Sequence, residues 1–295
     1  MHDSTPEWVK NNGFASLLAG EKGEQIAADL GLQVGLSIYP RSLTFADSRL
    51  WFLARGEGQK MICCLAQAGG SAPLPAPSRS VTVGGFSMEL ATAAADAETA
   101  AVMREQFEFL RPRPLGLKKS AGCGDRLGMA TPGHIRALRS VFGEDERVKL
   151  APIFAQQSIR ENARTGRTPQ EVMDTAMWGV FQEGWRQGYG ADADHLKTFA
   201  DVDSCARAGY TFYTIDPGEY VDDRANNASG SDLREMADAL PWDELQDTLP
   251  DLERRLAGKP VETAEFLVTL KDISVVRAAV KYGRAVAHTV RMVER

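Results

Sequence analysis

From Leu115 onward the chain repeats one rhythm, strand then loop then helix, four times. The strand candidates are Leu115–Lys119, Ala151–Ala155, Gly190–His195 and Tyr210–Ile215. Clear start signals mark the helices between them. Thr168-Pro169-Gln170-Glu171 combines an N-cap, a proline in the first turn and a capping-box glutamate. Thr131-Pro132 opens the preceding helix in the same way, Thr198 with Asp201 caps the following one, and Gly209 ends it. Repeated βα units imply parallel strands joined by right-handed crossovers. Two architectures satisfy that rule, a TIM-barrel-like (β/α) fold and an open four-stranded doubly wound sheet. No Gly-x-Gly-x-x-Gly follows a strand in a dinucleotide-binding context, which weakens the second. A full barrel takes ~250 residues, more than remain after Arg111 in a chain of 295. The expected fold is therefore α/β, with about four βα units of an incomplete barrel.

The residues before Pro112 read differently. Leu50–Ala54 and Met61–Ala66 flank the turn formers Gly56, Glu57 and Gly58, the pattern of an antiparallel hairpin. A short helical lead is expected before them, a further strand over Val81–Leu90, and a helix over Asp96–Leu110 that Arg111-Pro112-Arg113-Pro114 stops. The division expected is an α+β domain over 1–111 and a partial barrel with the substrate loops over 112–295. After Asp216 the sequence reads as loop and then helix, over Asp232–Leu240, Trp242–Leu256 and Val261 to the end.

Charge narrows the partners. The net charge is −6 and the pI about 5.4, with no basic stripe interleaved with aromatics, so a nucleic-acid partner is not expected. No apolar run reaches the length of a membrane span and the start is polar, so neither a membrane nor a leader is expected, and the location expected is cytoplasmic. Cys63, Cys64, Cys123 and Cys205 lack the spacing of a zinc site and read as reduced thiols.

In a barrel the chemistry sits at the C-terminal ends of the strands. The polar residues collected there are Lys118, Asp125, Gln156, Gln157, Asp194, His195, Lys197 and Asp216, with His134 near the start of a helix. Each has a plain structural alternative. Asp125 can pair with Arg126 on the surface, the glutamines can satisfy loop backbone, His134 can decorate a helix N-terminus, and Asp216 before Pro217 can form a turn. Asp194, His195 and Lys197 are the densest group. Gly122, Gly124 and Gly128 around Asp125 make a loop able to approach a ligand closely.

Several segments resemble the tagaturonate epimerase family. They are Gly124-Asp-Arg-Leu-Gly-Met-Ala-Thr-Pro-Gly-His134, Pro152-Ile-Phe-Ala-Gln-Gln-Ser-Ile-Arg160 followed by Arg164-Thr-Gly-Arg167, Trp178-Gly-Val-Phe-Gln-Glu-Gly184, Gly188-Tyr-Gly-Ala-Asp-Ala-Asp-His-Leu-Lys197, and Gly209-Tyr-Thr-Phe-Tyr-Thr-Ile-Asp-Pro-Gly-Glu219. They lie in order between about Leu115 and Val221. The resemblance implies an isomerase of hexuronate catabolism that interconverts D-tagaturonate and D-fructuronate, with a keto-uronate as its small-molecule substrate. It implies a divalent metal of the Mn, Ni or Zn class. Family members are longer and continue with strands carrying a Glu and two His that look like the metal ligands. Those ligands are thus expected outside this chain, which looks truncated. A homo-oligomer or a complementing C-terminal chain is expected to cover the open sheet edges.

The carbon inverted in that reaction is β to the ketone, so its hydrogen is not acidic. Retro-aldol cleavage, rotation and re-addition is the route expected, with a metal polarising the ketone and an acid/base group moving the hydroxyl proton. Transient oxidation would need a nicotinamide cofactor. Asp125, Asp194 and His195 are the candidate catalytic residues. Lys118, His134, Gln156, Gln157, Lys197 and Asp216 are the candidate substrate contacts.

Overall fold

The computed structural model describes residues 7–15, 23–56, 58–143, 150–262 and 264–295. The turn residue Glu57 lies outside them. The fold is mixed α/β. The chain forms two compact units, Met1–Asp194 with Ser204–Tyr213, and His195–Asp203 with Thr214–Arg295.

The first unit begins with helices α1 (Glu7–Asn11) and α2 (Gly23–Val34). Ala27, Leu30 and Val34 recur on one face of α2 and are buried. They pack on an antiparallel sheet of β1 (Ser37–Ile38), β2 (Thr44–Ala46), β3 (Arg49–Arg55), β4 (Lys60–Gln67), β5 (Ser78–Val83) and β6 (Phe86–Ala94). The strand order is β1-β3-β4-β6-β5, with β2 also on β3. Leu50, Phe52, Ala54, Cys63, Leu65, Met88 and Leu90 face the core beneath α2. Trp51 points the other way and is also buried, its ring 5.6 Å from Phe107. Both faces of the central strands are covered, so they read as continuous apolar runs. The single strand expected over Val81–Leu90 is instead a hairpin, β5 and β6. Gly84 and Gly85 turn it at φ +57° and +84°, where glycine carries no steric cost.

Asp96 and Thr99 form a reciprocal capping box at the start of α3 (Ala97–Gln106). The second sheet then begins with β7 (Ser120–Gly122), later and shorter than the expected Leu115–Lys119. Gly116, at φ +59°, puts a turn where that strand was expected. Helix α4 (Thr131–Phe142) leads to β8 (Ala151–Ser158), and α5 (Ile159–Thr165) and α6 (Pro169–Gln182) lead to β9 (Gly190–Leu196). Helix α7 (Phe199–Ala208) leads to β10 (Phe212–Ile215). The order is β10-β9-β8-β7, sequential and without reversal, and β8 runs parallel to β7 and β9. The Thr168–Glu171 capping box and the Thr198–Asp201 cap are both present. Thr131 is not a cap: it is the first residue of α4, and no side chain caps that helix at Ala130, the residue before it.

Within the first unit α6 links the two sheets. Phe181 stacks on Phe107 at 6.0 Å, and Asp174 of α6 pairs with Arg104 of α3. Burial pushes the Cys63 and Cys64 thiols up to about 12, with Cys64 adding to the effect on Cys63. All four cysteines are free.

The second unit contains α8 (Gly230–Asp238), α9 (Trp242–Leu245), α10 (Leu249–Leu256) and α11 (Asp272–Glu294) around Ala225, Leu233, Ala237, Leu249, Val276 and Val280. The helix expected from Val261 starts later. Strands β11 (Pro260–Glu262) and β12 (Leu267–Thr269) form an antiparallel hairpin first. Among the described residues no helix is long and apolar enough to cross a membrane.

Candidate active site

The loop from β7 to α4 is built around one carboxylate. Asp125 is 6% exposed. Its Oδ1 accepts from the backbone N–H of Leu127 (3.1 Å), Gly128 (2.7 Å) and Met129 (3.2 Å), and Oδ2 accepts from Ala130 N–H (2.7 Å). Burial opposes the charge, but these four donors outweigh it and hold the carboxyl below the usual carboxylate range. The loop thus carries its own anion at the entrance to α4. A carboxylate with both oxygens engaged and its pKa depressed is a weak base, so this geometry favours a loop-organising role for Asp125. Arg126 pairs instead with Glu161, at 3.4 Å.

Arg167 fastens the loop to the sheet and to α6. One guanidinium nitrogen donates to Asp125 O (2.8 Å) and Gln157 Oε1 (2.5 Å), the other to Thr175 Oγ1 (2.6 Å). Gln157 also donates to Thr165 at 2.9 Å, so its amide serves the packing of β8 against α5. Gly128 sits at φ +72°, and a Cβ there would lie 3.1 Å from Arg167 and 3.0 Å from Thr175.

The remaining residues are spread over the fold. Lys118 is exposed and precedes β7, so it lies at the opposite end of that strand from Asp125. His134 occupies the first turn of α4. Its Nδ1 and the Thr131 hydroxyl are buried without a hydrogen-bond partner among the described residues. Gln156 lies near the C-terminal end of β8 and donates to Asp192 of β9 at 2.8 Å. Asp194, two residues further along β9, is half-buried and in register with Ser158.

In the second unit His195 is exposed and held at φ +61°. A left-handed backbone is unfavourable for a non-glycine residue, and such residues gather at functional sites. Lys197 Nζ lies 2.7 Å from Glu219 and 3.8 Å from Asp216. Asp216 Oδ1 also accepts from Gly218 N–H at 3.0 Å, so the turn expected at Pro217 is present. Among the described residues no group of three or more His, Cys, Asp or Glu side chains is placed to hold a metal ion.

Sequence reasoning gave no role to Arg167 or Asp192. Asp192 had a signal, because Gly190-Ala-Asp-Ala-Asp194 alternates and puts both aspartates on one face of a strand. Arg167 had only its place in the Arg164–Arg167 segment of the family resemblance, since its partners come from three separate segments.

A family profile described as tagaturonate epimerase matches residues 39–295. The chain belongs to the tagaturonate epimerase family. A tagaturonate/fructuronate epimerase of Thermotoga maritima is 37% identical over 258 residues, which are 86% of this chain and 49% of that protein. Crystal structures of the fructuronate-tagaturonate epimerase of Cohnella laeviribosi share the fold. The native form has a TM-score of 0.72 at 27% identity, over 92% of this chain and 52% of that one. A form with two glycerols has a TM-score of 0.74 at 29% identity, over 90% and 51%. The chain spans about half the length of these relatives.

Proposed function

We propose that this chain acts in the interconversion of D-tagaturonate and D-fructuronate, and that it supplies the loops that hold the keto-uronate. The observation that carries this reading is a family match that runs through every strand-end loop of the parallel sheet. The sequential strand order supports a TIM-barrel-like arc as the scaffold. The boundary near Arg111 goes with this reading, since the antiparallel sheet ends at Ala94 and the parallel one begins at Ser120.

The route proposed is retro-aldol. A base takes the hydroxyl proton on the carbon to be inverted, the adjacent C–C bond breaks, and its electron pair passes into the ketone-bearing fragment. The aldehyde turns over, the bond re-forms on its other face, and the proton returns. In the first unit Asp194 is the favoured base, because Asp125 is tied to its own loop. In the second unit the strained backbone at His195 supports a role in proton movement, and Lys197 supplies positive charge for the uronate carboxylate. The residues described do not fit a divalent metal, so no step is assigned to one here and its ligands are proposed to lie outside this chain.

The absence of a three-ligand group among the described residues also favours a second reading, a sugar-acid-binding half that does not turn over alone. Incubating the chain with tagaturonate, with and without Mn2+, Ni2+ or Zn2+, separates the two. Fructuronate formation supports the first, saturable binding without turnover supports the second, and the absence of both turnover and binding refutes both.

A further inference from the structure

Residues directly across two paired strands leave the sheet on the same face. Gln156 of β8 and Asp192 of β9 are such partners. The Gln156 amide nitrogen donates to Asp192 Oδ2 at 2.8 Å. An ionised carboxylate only accepts, so it can bind only the NH2 end of an amide, and this fixes which way the amide faces. The amide as a whole lies over Gly122 of β7. A Cβ at that position would overlap both Oε1 and Nε2 of Gln156. Gly122 is not among the glycines at positive φ. Its missing side chain therefore makes room rather than permitting an unusual backbone. Asp192 is 4% exposed while Gln156 is only half-buried. The carboxylate is the inner member of the pair and the amide the outer one. Three strands thus contribute to one fixed amide near the end of the sheet where chemistry is expected.

We propose that Gln156 contacts a hydroxyl of a polyhydroxylated acid, and that Asp192 and Gly122 are positioning residues that set the direction of its amide. The proposal rests on the keto-uronate reading and names the group that would recognise the sugar. With Asp192 in place, Oε1 and one N–H of Gln156 keep a single arrangement, suited to a hydroxyl that donates to the oxygen. An asparagine at 192 can donate as well as accept, so the amide could turn round and the arrangement would be lost.

The test is calorimetric titration of tagaturonate and its monodeoxy analogues into the full chain and into the Asp192→Asn and Gly122→Ala variants, with thermal melts of each. The expected result is that both variants weaken tagaturonate binding about 10-fold. At least one deoxy analogue should lose affinity for the wild-type chain but bind Asp192→Asn as tagaturonate does. The melting temperature of Asp192→Asn should stay near that of the wild type. A purely structural role would shift the melt and leave the analogue pattern unchanged. If the wild type binds and Asp192→Asn binds alike with the same analogue pattern, the inference is overturned. If the wild type binds no keto-uronate at all, the reading beneath it fails first. Should Gly122→Ala not fold, Asp192→Asn alone decides.

Discussion

Replacing Asp125 removes the acceptor for four backbone N–H groups at once. Two of those bonds, from Gly128 and Ala130, are 2.7 Å long, the range of charge-assisted bonds. A hydrogen bond to a charged group contributes roughly 1.5–3 kcal/mol, and one lost beside exposed backbone is partly replaced by water. In Asp125→Asn the oxygen can stay with Leu127, Gly128 and Met129, but an NH2 group then faces the Ala130 N–H. The expected loss is about 2 kcal/mol for Asn and about 4 kcal/mol for Ala. Urea unfolding of the full chain near neutral pH measures it, and amide exchange at residues 127–130 should accelerate locally. The pH dependence has a fixed sign. The folded-state pKa of Asp125 is depressed, so its contribution is present above the unfolded carboxylate range near pH ~4. It is lost as pH falls through the folded value. The gap between wild type and Asp125→Ala should therefore narrow in acid. A gap at neutral pH below about 0.5 kcal/mol for Ala, or one that widens in acid, would refute the reasoning.

Phe107→Ala opens a cavity between Trp51 and Phe181 and should cost about 3–5 kcal/mol in urea unfolding; a loss under about 1 kcal/mol contradicts that packing. Gly128→Ala forces a non-glycine residue into φ +72° against Thr175 and Arg167, at a cost of about 1–2 kcal/mol. Gly133→Ala meets open space in α4 and should stabilise by about 0.4–1 kcal/mol; melts that reverse this order would count against the loop geometry. Lys197→Met should change stability by less than about 1 kcal/mol, because its ion pairs are exposed. It should weaken keto-uronate binding about 10-fold in calorimetry; unchanged binding would remove Lys197 from the site.

The βα rhythm was legible because helix starts are local: the Thr168–Glu171 box needs only four residues. The strand before Asp125 was misplaced because its start is set by the turn at Gly116 and by pairing with β8, and neither leaves a periodic trace. The helix expected from Val261 was displaced by a hairpin whose strands are three residues each, too short for alternation to show. At the site, residue types were readable but their partners were not. Asp125 looked like a base beside Arg126. Only the folded loop shows its oxygens turned back on the N–H groups of residues 127–130. Lys118 moved to the wrong end of β7 with the strand boundary itself, and Gln156 and Gln157, adjacent in sequence, went to separate hydrogen-bond networks because neighbours on a strand face opposite ways.

Saturation-transfer NMR of tagaturonate with the full chain tests the central claim most directly. The account predicts transfer from the protein to the sugar that saturates and is displaced by fructuronate. Absent transfer, or transfer that fructuronate does not displace, would contradict it.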